Sequence, residues 1–273
     1  MQGWNWRWLL LAWALAGAAP AWAEIWRLQV QPGMSATAEY RPGEPDRDPV
    51  LILHGFLQTR EFSTVSRLAE TLADDGYPVL TPTLSLGVPD RRQSLECEAL
   101  HLHRLDEDVA ELHRWVQRLH RATGRPVTLI GHSAGGHVIT RYLAVHPDAP
   151  LRRAILISIV PPEGAPPAGG EPPDPEAMAD YRLGYCQRYP TTPRAFHSYV
   201  DWGPDRMLTA MLESPVPVHV VLGGADERVR PLWQERLRSG GVELKVIPGA
   251  NHFFDSEHEF DLVERVEAML EGG

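Results

Sequence analysis

The chain has 273 residues, 43% of them apolar and 23% charged, which suits a globular protein with an ample core. Its formal net charge of -10 argues against a nucleic-acid partner, because phosphate backbones are held by clustered Lys and Arg. The balance does not choose among small substrates.

The first 23 residues differ from the rest. Arg7 precedes an apolar run from Trp8 to Ala19, broken only by Gly17, and Ala21-Trp22-Ala23 fits the small-x-small pattern of a signal-peptidase site. The run is about 12 residues, short of the roughly 20 that span a bilayer. Residues 1–23 are therefore expected to be a cleaved signal peptide, and the mature protein to be periplasmic or secreted. The alternative is an uncleaved N-terminal anchor in peripheral contact with a membrane, since four Trp among the first 13 residues suit a membrane interface.

The remainder, 24–273, reads as one domain. Alternation from Glu24 to Tyr40 around Pro32-Gly33 predicts two short strands. Arg41 to Pro49 is a polar loop, and Val50-Leu-Ile-Leu53 is a short continuous apolar run suited to a strand buried on both faces. A helix follows, with Ser63 as N-cap, Val65, Leu68, Ala69 and Leu72 on one face, and Gly76 as its stop. Tyr77–Leu80 is the next expected strand, followed by a long excursion from Thr81 to about Arg104. Leu105, Val109, Leu112, Val116 and Leu119 then recur at helical spacing up to Gly124.

Pro126–Ile130 is a strand that runs into Gly131, and a helix over 134–145 follows. Residues 154–160 form a strand, 161–175 a Pro- and Gly-rich loop, and 176–214 a weakly helical stretch. Strands over 216–222 and 242–247 alternate with helices over 231–239 and 256–270. This rhythm predicts an α/β fold with a mostly parallel central sheet flanked by helices.

Gly131-His132-Ser133-Ala134-Gly135 lies between an apolar strand and a helix, the context in which a G-x-S-x-G turn exposes a nucleophile. Small flanking residues let strand and helix pass closely, and the helix N-terminus stabilises developing negative charge. A serine needs a base. Twelve histidines are present, so position decides. His252 follows the last predicted strand, at the sheet edge where open α/β sheets bind ligands; His132 and His137 adjoin the serine and are expected to pack locally. Asp226, just after a strand, is the expected orienting acid, with Glu227, Asp255 and Asp201 as weaker competitors. An oxyanion needs two backbone donors, and the amides of Ala134 and Phe56, the latter after His54-Gly55, are placed to supply them.

Together these pieces resemble the α/β-hydrolase superfamily over roughly residues 25–270. The order Ser133, Asp226, His252 is that of this fold and not of other triad folds. The resemblance implies an α/β-hydrolase fold with Ser133 as nucleophile, His252 as general base and acid, Asp226 as the orienting carboxylate, and Phe56 and Ala134 as oxyanion donors. It implies a lid insertion at about 161–214. His-Gly-Phe differs from the His-Gly-Gly-Gly loop of one esterase branch, and a serine at the elbow sets the chain apart from relatives that use Asp there.

The implied activity is hydrolysis of a small-molecule or lipid ester through an acyl-enzyme, without a cofactor. Amides and thioesters are alternatives on the same triad, and a non-catalytic binding protein is the alternative of another class. Cys97 and Cys186 are the only cysteines. In an exported protein they are expected to bridge the excursion to the lid; two unrelated buried thiols are the alternative. A zinc site at Cys97, His101 and His103 fits no common ligand spacing, so no metal is expected. The lid aromatics Tyr181, Tyr185, Tyr189, Phe196, Tyr199 and Trp202 suit either an apolar acyl site or packing of the lid on the core.

Overall fold

The computed structural model describes residues 23–272. All but the last residue of the expected signal segment lie outside that range. No helix among the described residues is long and apolar enough to cross a membrane.

The chain opens with the antiparallel pair β1 (Glu24–Gln31) and β2 (Met34–Arg41), turned at Gly33. It continues through β3 (Val50–Leu53), α1 (Ser63–Asp74), β4 (Val79–Thr83), α2 (Leu105–Thr123), β5 (Val127–His132), α3 (Gly135–Val145) and β6 (Leu151–Ile157). An insertion follows, with β7 (Gly164–Ala165), β8 (Ala179–Leu183), β9 (Cys186–Thr191), α4 (Pro193–Val200) and α5 (Pro204–Leu212). The main fold resumes with β10 (Val218–Gly223), α6 (Pro231–Gly240), β11 (Glu243–Ile247) and α7 (His258–Glu271).

Eight strands form one sheet in the order β1-β2-β4-β3-β5-β6-β10-β11. From β4 to β11 every pairing is parallel, while β2 runs antiparallel to β1 and β4. The apolar strands divide their side chains between two cores. Ile52, Ile130, Ile155 and Val221 meet α1 and α7 on one face; Leu53, Leu129, Leu156 and Leu222 meet α2 and α3 on the other. Successive strand side chains point to opposite faces, so strands covered on both sides are mostly apolar along their length.

Four expectations shift. Ser63 is the first helical residue of α1, not its cap; extended Phe62 takes the N-cap position without a side-chain hydrogen bond. There the Phe62 ring packs against His132 and Phe253, which fixes where the chain enters the helix. The strand expected at Tyr77–Leu80 runs instead over Val79–Thr83. Pro82 is tolerated because β3 pairs with β4 only through Leu80, leaving the later residues bonded to β2 alone. The strand expected over 154–160 ends at Ile157, since Ser158 turns the chain at φ +51.

The stretch 176–214 is not uniformly helical. Its first part is the β8–β9 hairpin of a small three-stranded sheet with β7. Tyr181, Leu183, Cys186 and Tyr189 point inward, with Arg182, Gln187 and Arg188 outward, and Gly184 turns the chain at φ +58. Cys97 and Cys186 form a disulfide that ties β9 to the excursion after β4. A backbone bridge pairs His101 with Thr191 nearby.

Candidate active site

Ser133 follows β5 and adopts φ +52, a left-handed conformation that non-glycine residues rarely hold. The turn exists because its flanks carry no Cβ. A Cβ on Gly131 would lie 2.8 Å from the Gly135 carbonyl carbon, and one on Gly135 would lie 2.8 Å from the His54 oxygen. Strand, turn and α3 therefore close around the serine and leave its hydroxyl facing a cavity of about 530 Å³.

The structure brings the other expected residues to the same place. Ser133 Oγ donates to His252 Nε2 at 2.9 Å, and His252 Nδ1 donates to Asp226 Oδ2 at 2.7 Å. The side chains of Asp226 and His252 are 1% and 5% exposed. In so dry a setting the carboxylate–imidazole contact is poorly screened and holds the ring in one tautomer. Asp226 Oδ1 accepts from the Arg228 amide at 2.9 Å, so both carboxylate oxygens are engaged. The rival acids lie elsewhere: Glu227 is exposed, Asp255 bonds Asn251, and Asp201 pairs with His197.

Phe56 and Ala134 both line the cavity beside Ser133. A Cβ on Gly55 would lie 3.3 Å from Ser133 Cβ, so the loop after β3 passes directly against the serine. The Phe56 and Ala134 amides have no hydrogen-bond partner among the described residues. Gln58 Oε1 accepts from the Gly55 amide at 3.1 Å and props the loop. Behind it, His54 accepts at Nε2 from the Leu84 amide at 3.1 Å and donates from Nδ1 to the Gly55 carbonyl at 2.9 Å. Burial, helped by the nearby Arg91 cation, pushes its pKa down to about 3, so it serves as a neutral strut.

Two further residues brace the site: His132, expected only to pack locally, and Ser158, which no sequence pattern singled out. His132 Nε2 and Ser158 Oγ donate to the His252 carbonyl at 3.0 and 2.8 Å. Both are buried, and burial lowers the pKa of His132 to about 4, so it stays a neutral donor. His137 is likewise buried and lowered to about 4, and donates to the Val160 carbonyl at 2.6 Å. The histidines flanking Ser133 in sequence thus brace the loops, and the distant His252 reaches its hydroxyl.

The cavity is mainly apolar, with Phe56, Val160, Pro161, Leu183, Trp233 and Phe253 among its walls. Of the insertion aromatics, Tyr185 and Tyr199 line it, whereas Tyr181, Tyr189, Phe196 and Trp202 are buried packing residues. Cys97 is consumed by the disulfide, and His101 donates to the Glu96 and Cys97 carbonyls. Among the described residues no cluster of side chains suits a metal ion.

A family model described as "Alpha/beta hydrolase family" matches residues 50–266. No curated protein sequence matches the chain. Among solved structures, Est1E of Butyrivibrio proteoclasticus with ferulic acid bound is 20% identical, with TM-score 0.67 over 88% of this chain and 96% of its own. A monoacylglycerol lipase of Paleococcus ferrophilus is 19% identical, with TM-score 0.63 over 90% and 98%. A thioesterase domain from the curacin biosynthetic pathway is 18% identical, with TM-score 0.62 over 92% and 99%. At such identities the likeness speaks for the fold.

Proposed function

The chain belongs to the alpha/beta hydrolase family, and on that premise we propose that it is a serine carboxylic-ester hydrolase. The observation that carries this reading is the unbroken hydrogen-bonded series Asp226–His252–Ser133 ending at a largely apolar cavity. Ser133 Oγ attacks the ester carbonyl and passes its proton to His252 Nε2. The oxyanion of the tetrahedral intermediate accepts from the Phe56 and Ala134 amides, which are free to donate. His252 then protonates the departing alkoxide, leaving an acyl group on Ser133. In the second half His252 takes a proton from water, the hydroxide attacks the acyl carbonyl, and Ser133 leaves with the proton returned. Asp226 holds the ring and stabilises the imidazolium in both halves.

The substrate is a small-molecule or lipid ester whose apolar part fills the cavity. The disulfide supports residence in an oxidising, exported compartment, consistent with the segment 1–23 acting as an export signal.

The test is turnover of p-nitrophenyl esters of increasing acyl length, beside matched anilides and thioesters, by the wild type and Ser133→Ala. Oxygen esters should be the best substrates, and the variant should lose about 10⁴-fold or more in kcat. A Ser133→Ala protein that keeps wild-type turnover contradicts the mechanism. Preference for anilides or thioesters contradicts the substrate class.

A further inference from the structure

The cavity is apolar apart from a few polar side chains, and its charged members are Glu163, Arg228, Arg230 and Arg236. Three of these are already committed. Arg230 forms a two-pronged pair with Glu163, at 2.7 and 2.8 Å, and Arg236 is paired with Asp205. Arg228 is different. Among the described residues its guanidinium makes neither an ion pair nor a hydrogen bond, and the residue is exposed at the cavity wall.

Its position is nevertheless held. The Arg228 amide donates to Asp226 Oδ1 at 2.9 Å, which anchors the backbone two residues from the acid of the triad. The guanidinium carbon lies 5.0 Å from the centre of the Phe253 ring. That ring stands edge-on to His252, with 5.1 Å between ring centres. A cation on one wall of the cavity is thus linked to the reacting serine through the Phe253 and His252 rings. A cation on an aromatic face keeps its in-plane N–H groups free to donate outward.

We infer that Arg228 is a substrate-recognition residue, and that the preferred ester carries a carboxylate a short apolar spacer away from its scissile carbonyl. This rests on the ester-hydrolase reading and narrows its substrate class. One uncommitted guanidinium matches one negative charge, and its planar fork matches both carboxylate oxygens. A doubly charged phosphate would leave one charge unbalanced, because the other cations of this cavity are already paired. The apolar walls bind the spacer, and closure of the substrate over Arg228 removes water from the pair and strengthens it.

The experiment compares p-nitrophenyl half-esters of adipate, pimelate and suberate with the neutral hexanoate, heptanoate and octanoate esters. A second series sets acyl esters of 4-hydroxybenzoate against those of phenol, so the charge is tried on either side of the scissile bond. The readout is the ratio of kcat/KM for the charged ester to that for its neutral partner. In the wild type the ratio should exceed one in at least one series. It should fall about tenfold or more in Arg228→Ala, fall further in Arg228→Glu, and be partly retained in Arg228→Lys. The double variant Arg230→Gln, Glu163→Gln, which removes a mutually neutralised pair, should leave the ratio in place. Raising salt should lower the wild-type ratio and leave that of Arg228→Ala flat. Hydrolysis of neutral esters with the same ratio in wild type and all three Arg228 variants overturns this inference and leaves the ester-hydrolase reading standing. Failure to hydrolyse any ester overturns both.

Discussion

At the scale of single residues, Ser133 owes its left-handed turn to the two glycines that flank it. Gly131 and Gly135 must lack Cβ for the strand and helix to approach, and that requirement is written next to Ser133. His252 and Asp226 were readable from their places after strands. Ser158 and His132 were not, because their roles depend on a carbonyl more than 90 residues away that only the fold brings near. Replacing Ser158 with Ala removes one of two donors that hold the His252 backbone. We expect kcat to fall about 3- to 10-fold, the equivalent of one ordinary hydrogen bond, with KM little changed; steady-state kinetics will check it, and an unchanged kcat would mean His132 alone suffices. The buried histidines also set a pH dependence. His137, like His101 and His132, is lowered to about 4 in the folded chain, from an ordinary value of 6.5, chiefly by burial. Between pH 6.5 and 4 the unfolded chain takes up these protons and the folded chain does not, so stability falls as pH falls. His132 and His137, which are fully buried, each account for on the order of 3 kcal/mol over that window. His137→Gln, with an amide N–H to offer the Val160 carbonyl, should show a shallower decline of the urea midpoint from pH 6.5 to 4. Parallel declines in the two proteins would contradict the assignment.

At the scale of elements, apolar runs and helical periodicity located the central strands and the flanking helices, with ends displaced by a few residues. The displacements have local causes, such as the Ser158 turn and the early parting of β3 from β4. The insertion was harder to read. Its alternation of Tyr181 and Leu183 with Asp180 and Arg182 is a strand pattern, but Pro- and Gly-rich flanks and few residues per strand mask it. Packing against the excursion after β4, through the Cys97–Cys186 bond and the His101–Thr191 bridge, supports this hairpin. The bond closes a loop with a sequence separation of 89, so the chain-entropy model assigns it roughly 4–5 kcal/mol. The double variant Cys97→Ser, Cys186→Ser should melt well below the wild type in calorimetry. It should also raise KM more than it lowers kcat, because Gly184 and Tyr185 at the hairpin turn line the cavity while Ser133, Asp226 and His252 follow strands of the main sheet. An unaltered Tm, or a loss confined to kcat, would show that the bond does not hold the hairpin over the site.

At the scale of the whole molecule, the sheet collects chemistry from distant parts of the chain. Phe56 follows β3, Ser133 follows β5, Asp226 follows β10 and His252 follows β11, and all four come to one edge. Parallel strands make this possible, since each ends on the same side and hands its loop to the same space. The order of these residues along the chain was therefore informative before any contact was known. The cavity was not, because Arg228, Trp233 and the insertion loops meet there only through tertiary packing. Every catalytic role proposed for this site depends on Ser133 being an activated nucleophile in the native protein. The most direct measurement is labelling of the folded, oxidised chain with a fluorophosphonate, followed by peptide mass mapping. One adduct per chain on the Ser133 peptide is expected, absent in Ser133→Ala and in denatured protein. No adduct on the folded wild type, or equal labelling of Ser133→Ala, would contradict it.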